Sequence, residues 1–436
     1  MIVGAGAAGT MAAIFAAEAA ALRSPKPEVL LLERTADGGR KILISGGGRC
    51  NILPAAGGVS RFVTDSSLNS LRNILTTWRL DEQVRFFNER LGLDLTLEAE
   101  SGKFFPRSNK ARDVRDGLLS LASRLGARAR FDVTVEDVVP PQARGGAWQV
   151  VLAGGERIPA TAVVLATGGL SVPSTGSDGA GLRIAAALGH EMHATYPALT
   201  PLTANEPSHA ALAGISLPVT LTARVDGKRL SATGGFLFTH KGYSGPAVLD
   251  LSHVAVRSRL AGGVLQVITV QWTALDAAAW EERFRAGGTV HVGTLVRREL
   301  PERLAEMVLG SAAVDSSTPA AQLKREDRQR LVTALAAMPL PWTGDEGYRK
   351  AEVTGGGVAL SEIDPRTMQS RRHPGLFLCG EMLDAFGAIG GYNFMWAWAT
   401  GRAAGIGAAL TTRTGKREEG SGTAEQPTAE EPEAGH

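Results

Sequence analysis

Two glycine-rich segments near the start constrain this chain more than any other part of it. Met1–Gly9 reads MIVGAGAAG, and after the apolar run Val29-Leu30-Leu31-Leu32-Glu33 comes Gly38–Asn51, GGRKILISGGGRCN. Apolar residues, then GxGxxG, then an Ala-rich stretch up to Leu22 predict a strand, a tight turn and a helix. In that unit Gly4 makes the turn, Gly6 lets backbone approach a pyrophosphate, and Gly9 allows the helix to pack closely on the strand. Ala7 and Ala8 put their amides at the helix N-terminus, where unpaired N–H groups and the dipole attract phosphate. Glu33 ends the second strand, where a carboxylate accepts hydrogen bonds from a ribose diol and repels a 2′-phosphate. Arg34 beside it is counted in the same site.

Alone, the first segment indicates only a dinucleotide. A loop rich in Gly, Arg and Lys at this distance from it points to flavin adenine dinucleotide (FAD). Arg40, Lys41 and Arg49 bring cations to a loop whose backbone donors, around Ser45, Gly46, Gly47 and Asn51, suit a diphosphate and a ribityl chain. The apolar triplet Ile42-Leu43-Ile44 predicts a buried segment. Cys50 has two readings, a packed small side chain or a group that touches the flavin and acts as an acid.

Further along, Val163–Gly169 is a buried strand ending in glycines, which returns Ala166, Thr167 and Gly168 to the dinucleotide. Val135, on the preceding β segment Ala129–Val139, is expected to offer backbone to adenine. Gly380, Glu381 and Asp384 follow the last sheet strand, Gly375–Cys379. Gly390, Gly391, Tyr392, Asn393 and Phe394 open a long helix to Leu410. Its N-terminus would stabilise the negative charge that reduction places on the flavin pyrimidine.

The organisation is α/β. A Rossmann-like FAD domain is expected over 1–195, with an inserted β unit over 196–272 and a helical excursion over 273–338. The chain then returns to the β insert and the FAD domain over 339–411, before an acidic tail, 412–436, expected to be disordered. Asp226-Gly227 predicts a hairpin turn. Helical segments are expected at Asp113–Leu125, Leu182–Leu188, Leu295–Met307 and Glu326–Ala337, and strands at Arg157–Ala166 and Gly263–Trp272.

Composition narrows the function. The net charge is +2, and the tail carries three basic residues and six Glu, which leaves the remainder near +5. That is too little to argue for a nucleic-acid partner by itself. Two cysteines in 436 residues build neither a disulfide framework nor a Cys-rich metal site. No metal is expected, and a cytoplasmic location is. Neither a signal peptide nor an apolar run long enough for a membrane span is found. A second dinucleotide fingerprint is absent too, so NAD(P)H is expected, if at all, as a transient electron donor.

His240, in Phe238–Pro246, is a candidate proton donor, with a structural role equally open. Tyr243 and Ser244 are weaker candidates. Lys103, Arg107, Lys110, Arg112 and Arg115 surround Phe104-Phe105-Pro106 as a basic cluster, read either as a solvated face or as an aid to an anionic ligand.

Taken in order, GAGAAG, GRKILISGGGRCN, FFPRSNKARDV, ATGG, FLFTHKGYSGPAVLDLS, AEVTGGGV and LCGEMLDAFGAIGGYN resemble the YhiN-like (BaiN/RdsA) family of NAD(P)/FAD-dependent oxidoreductases. The resemblance runs from Met1 to about Leu410. It implies an FAD domain of two-dinucleotide-binding type, a β-barrel-like insert and a small helical insert. It also implies reduction of carbon–carbon double bonds, in a steroid-like small molecule or in a uridine of ribosomal RNA. A flavin-dependent oxidase and a flavin-binding scaffold remain alternatives. The oligomeric state is not legible.

Overall fold

The structure is a computed structural model that describes residues 1–143, 145–205 and 207–411, with only the backbone of Pro207 and Ser208. The acidic tail lies outside the described residues. Ile2–Val3, Val29–Leu32, Val163–Leu165 and Leu376–Leu378 are short and apolar because helices cover the sheet they form. With Ala127–Arg130 they make a five-stranded sheet in the order 376–378, 163–165, 2–3, 29–32, 127–130. Every pairing in it is parallel.

The helix Ala7–Ala21 packs against this sheet, and Tyr392–Leu410 packs across that helix. The crossing is backbone to backbone. A Cβ on Gly401 would lie 2.3 Å from the Ala8 carbonyl oxygen, and one on Gly405 would lie 2.3 Å from that of Ala12. Each helical glycine costs about 1 kcal/mol in propensity. The dispersion contacts of a close Ala/Gly seam offset that cost.

Two expected strands are each split between sheets. The segment Ala129–Val139 breaks at Asp132, whose φ is +56°. Ala127–Arg130 stays in the parallel sheet, and Val135–Val139 joins Trp148–Leu152 and Arg157–Ala160 in an antiparallel meander. Likewise Arg157–Ala166 divides into Arg157–Ala160 in the meander and Val163–Leu165 in the parallel sheet. An apolar run does not reveal where the chain changes partners.

Met192–Ala198 leads out of the cofactor region, and Val353–Val358 returns antiparallel to it. Between them lies a seven-stranded sheet in the order 338–339, 268–271, 216–225, 228–239, 242–244, 202–203, 344–345. Asp226-Gly227 forms the expected hairpin, both residues at positive φ. The edge strands Met338–Pro339 and Gly344–Asp345 are joined by only residues 340–343. Such a link spans at most roughly 18 Å, whereas a flat sheet of this width measures about 29 Å. The sheet therefore curls until its edges approach, around the helix Pro246–Leu260.

The helical excursion holds Ala277–Ala286, Val292–Arg297, Glu302–Ser311 and Arg325–Ala336. The expected single helix Leu295–Met307 is interrupted at Pro301, which has no N–H to give and starts the next helix. Only Ile268–Gln271 of the run Gly263–Trp272 is a strand, and Val264 and Val267 are exposed. Tyr196, Ala198, Leu199, Val256, Val353 and Phe386 form a separate small core where the insert meets the cofactor region.

Candidate cofactor cleft

The turn Gly4–Gly9 is built by close packing. A Cβ on Gly4 would sit 2.5 Å from the Ala166 carbonyl oxygen, and one on Gly9 would sit 1.7 Å from that of Gly4. Gly6 differs: nothing lies within 4 Å of its would-be Cβ, which faces open space at the head of the helix Ala7–Ala21. Gly4, Gly6, Ala7 and Ala8 line an elongated cleft. Gly9 lies beneath it as packing.

One arm of the cleft runs past Glu33 and Arg34 to Val133, Thr134 and Val135. The Glu33 carboxylate is buried and does two things. One oxygen accepts the Ala5 N–H at 2.7 Å. The other accepts the Thr35 N–H at 2.8 Å and the Thr35 hydroxyl at 2.7 Å. It therefore clasps the glycine turn while facing the place expected for a ribose. Arg34 pairs with Asp178 at the rim. Burial alone would raise the Asp178 carboxyl's pKa, but Arg34 and the Ala180 N–H bring it below the usual range. The wall Thr175–Asp178 was not expected from sequence, where Ser177-Asp178-Gly179 read only as a helix start.

Ala166, Thr167 and Gly168 line the middle. Gly168 has φ +74°, and a Cβ there would approach the Ser177 hydroxyl to 2.8 Å. The other arm reaches Val353, Gly380, Glu381, Ala385, Asn393, Phe394 and Trp396. Lys41 spans to this arm. Its ammonium donates to Ser171 Oγ at 2.6 Å and to Glu381 Oε2 at 2.7 Å. Glu381 Oε1 accepts the Ser171 hydroxyl at 2.6 Å and the Thr354 N–H at 3.0 Å. Lys41 lines the cleft, but much of its charge is answered by Glu381.

The second glycine-rich segment divides. Gly39, Arg40 and Lys41 line the cleft, held from below by the buried Arg115, which donates to the carbonyls of Asp37 at 3.1 Å and Gly38 at 3.3 Å. Arg40 pairs with Asp37 at 2.7 Å. Beyond Ile42 the chain turns away. Ser45, Gly46, Gly47 and Asn51 are not among the lining residues. Arg49 pairs with Glu98 at 3.0 Å and lies over the Phe105 ring. The expected burial of Ile42-Leu43-Ile44 is met only by Ile42, since Ile44 is 55% exposed.

Cys50 is corrected as a chemical candidate. It is fully buried, and burial pushes its thiol up to about 12. Neither a thiolate nor a ready acid results. Cys379 does line the cleft, with its thiol pushed up still further by burial.

Other expected contacts serve as supports. Asp384 does not line the cleft; its Oδ2 accepts from Thr64 Oγ1 at 2.9 Å, Asp65 N–H at 3.0 Å, and Ser66 N–H and Oγ at 2.8 Å. It ties residues 64–66 to the final sheet strand's exit. Gly391 caps the last helix at φ +96°, and its Cβ would meet the Leu53 carbonyl carbon at 2.6 Å. Gly390 adjoins it at φ +127°. Tyr392 is buried against Phe62. Asn393 exchanges two 2.8 Å bonds with the Gly387 backbone, which fixes the helix start at the cleft.

His240 is not brought to the cleft. It is exposed in the tight turn between Lys228–Thr239 and Gly242–Ser244. Tyr243 is buried and bonded to His209, in an aromatic core with Phe236 and Phe238. From the strand Val353–Val358, which returns from the insert, Val353 lines the cleft instead. Nothing in the sequence separated that strand's glycines from those of a turn. Among the described residues, no group of three or more His, Cys, Asp or Glu could hold a metal, and no helix is long and apolar enough to cross a membrane.

Known proteins resemble the chain along most of its length. It is 32% identical over 413 residues to the 3-dehydro-bile acid delta(4,6)-reductase of Clostridium scindens, covering 94% of this chain and 98% of the relative. It is 31% identical over 405 residues to the ribosomal RNA dihydrouridine synthase of Escherichia coli, covering 92% and 95%. Among solved structures, a quinol-fumarate reductase matches with TM-score 0.50 at 16% identity, over 96% of this chain and 72% of that one; this likeness concerns the fold alone. The glycine turn, the Glu33 strand end and the cleft are those of an FAD-dependent oxidoreductase, and the chain belongs to the family of HI0933-like proteins with a Rossmann domain, whose model matches residues 1–407.

Proposed function

We propose that this protein reduces a carbon–carbon double bond conjugated to a carbonyl group, with FAD held along the cleft. The observation that carries the reading is the open space at Gly6, beside a helix N-terminus, in a turn whose other two glycines are packed shut. This is the fit a pyrophosphate requires. Adenosine then falls in the arm of Glu33 and Val135, and the isoalloxazine in the arm of Val353, Glu381 and Asn393. When bound and reduced, the flavin supplies hydride. The chain's own part is to hold the cofactor's phosphates at Ala7 and Ala8, to fix the second arm through Lys41 and Glu381, and to aim the 392–410 helix amides at its end.

Two relatives bear on the substrate. One is named for a bile-acid reduction and the other for making dihydrouridine. Both names describe the same local chemistry, because the uridine C5=C6 bond is conjugated to C4=O as an enone's double bond is to its ketone. A small-molecule enone is our first reading. A uridine of ribosomal RNA is the second, for which the exposed Arg107, Lys110 and Arg112 would offer phosphate contacts. We take NAD(P)H as a transient donor and the cytoplasm as the location.

The test is anaerobic. NADH or NADPH is expected to bleach the flavin, and 2-cyclohexen-1-one or ribosomal RNA to restore its colour. Recovery only with oxygen, accompanied by peroxide, would make the protein an oxidase and overturn the reading.

A further inference from the structure

Four segments of the chain meet at one ion pair in the flavin arm. Lys41 and Glu381 both line the cleft. A lysine ammonium has three N–H groups to give. Lys41 gives one to Glu381 Oε2 at 2.7 Å and one to Ser171 Oγ at 2.6 Å, and among the described residues the third has no partner. Glu381 Oε1 accepts the Ser171 hydroxyl at 2.6 Å, the Thr354 N–H at 3.0 Å and the Thr354 hydroxyl at 2.9 Å. The Thr354 oxygen in turn accepts the N–H groups of Leu170 at 2.7 Å and Ser171 at 3.2 Å. Loop, strand end and the strand returning from the insert thus hold both charges at fixed places in the cleft wall.

Gly169 shows how closely this arrangement is built. A Cβ there would lie 2.8 Å from Glu381 Oε1 and closer still to Thr354 Oγ1. The second glycine of Thr167-Gly168-Gly169 is therefore required by the ion pair's own packing. Stability is a weak reason for such a pair. Both side chains are mostly withdrawn from water, and desolvation offsets much of the attraction between charges so placed. What the pair does provide is a cation and an anion held rigidly beside a ligand, where partial burial leaves their fields less screened than at an open surface.

We propose that Lys41 and Glu381 set the reduction potential of the bound flavin, in opposite directions. This rests on the FAD reading above, and it names what fixes the cofactor's driving force. Reduction adds negative charge to the isoalloxazine. The Lys41 ammonium favours that charge and the Glu381 carboxylate opposes it. Glu381 therefore has two effects: it holds the ammonium in the cleft wall and moderates its field. Ser171 and Thr354 are positioning residues, which act on the flavin through the pair they hold.

The test is a potential, measured without substrate. FAD-loaded protein, freed of unbound flavin, is reduced stepwise and anaerobically with dithionite beside the reference dye phenosafranin. Absorbance then gives the equilibrium constant for electron transfer from dye to flavin. Lys41→Met should lower that constant at least about tenfold, equivalent to about 30 mV for a two-electron couple. Glu381→Gln keeps the shape of the side chain without its charge and should raise the constant by a comparable factor. Lys41→Arg keeps the cation and should stay near the wild type, as should the exposed control Lys110→Ala. Opposite signs are what a purely structural pair does not produce, since its loss would lower FAD content and melting temperature in both variants and leave the potential where it was. A constant unchanged in both variants, or moved the same way in both, overturns this proposal alone. Should Lys41→Met retain no FAD, Glu381→Gln decides by its sign, and a fall or no change overturns the proposal. A wild type that takes up no FAD overturns the FAD reading instead.

Discussion

The two glycine-rich segments look alike as strings and differ as structures. In Gly4–Gly9 the glycines answer to packing: Gly4 and Gly9 meet carbonyl oxygens where a Cβ would have to go. In Gly46–Gly48 they answer to backbone conformation: all three have positive φ, and Gly47 has nothing within 4 Å. The first kind of glycine builds a site. The second turns a chain at the surface. Motif density does not distinguish them, and a ligand-facing role follows only where an unfilled position, as at Gly6, lies beside unpaired amides.

The difference can be broken experimentally. Gly9→Ala places a methyl 1.7 Å from the Gly4 carbonyl oxygen. It should cost about 3 kcal/mol or more and leave little folded protein, read by thermal melting. Lys41→Met comes next. It leaves the Glu381 carboxylate with neutral donors only, at a cost of about 1–3 kcal/mol, and should lower FAD affinity as well as melting temperature. Gly47→Ala strains φ without a clash and should cost about 1–2 kcal/mol, with FAD content unchanged. Cys50→Ala should do least, about 1 kcal/mol for the lost packing. The pH profile of flavin reoxidation should not move, because a thiol pushed up to about 12 by burial does not titrate near neutrality.

Local order was the legible part of this fold. The turn Gly4–Gly9, the strand ending at Glu33 and the long helix after Gly391 are each specified by neighbours in sequence, and each stands where it was expected. What joins distant segments was not legible. Lys41 and Glu381 are 340 residues apart and meet although two strands separate Val29–Leu32 from Leu376–Leu378, because the parallel sheet sends both following segments to the same edge. Asp384 reads as a cofactor contact by its place after a sheet strand. Its actual partners, Thr64 to Ser66, give no sign of it. His240 was attractive as a histidine in a dense motif, but exposure in a hairpin turn keeps it from the cleft. The split of Ala129–Val139 at Asp132 shows the same limit, since both halves satisfy the same strand propensity.

The central claim is that the cleft opening at Gly6 holds the FAD pyrophosphate. Gly6 has φ −77°, which valine tolerates, and open space for a side chain. Titration of the wild type and of Gly6→Val with FAD, followed by flavin fluorescence and paired with a melting curve of each, tests the claim directly. The account predicts a yellow wild type that quenches FAD, and a variant that melts at nearly the same temperature but binds FAD at least about tenfold more weakly, a loss of about 1.4 kcal/mol or more. A variant that binds FAD as tightly as the wild type would contradict it.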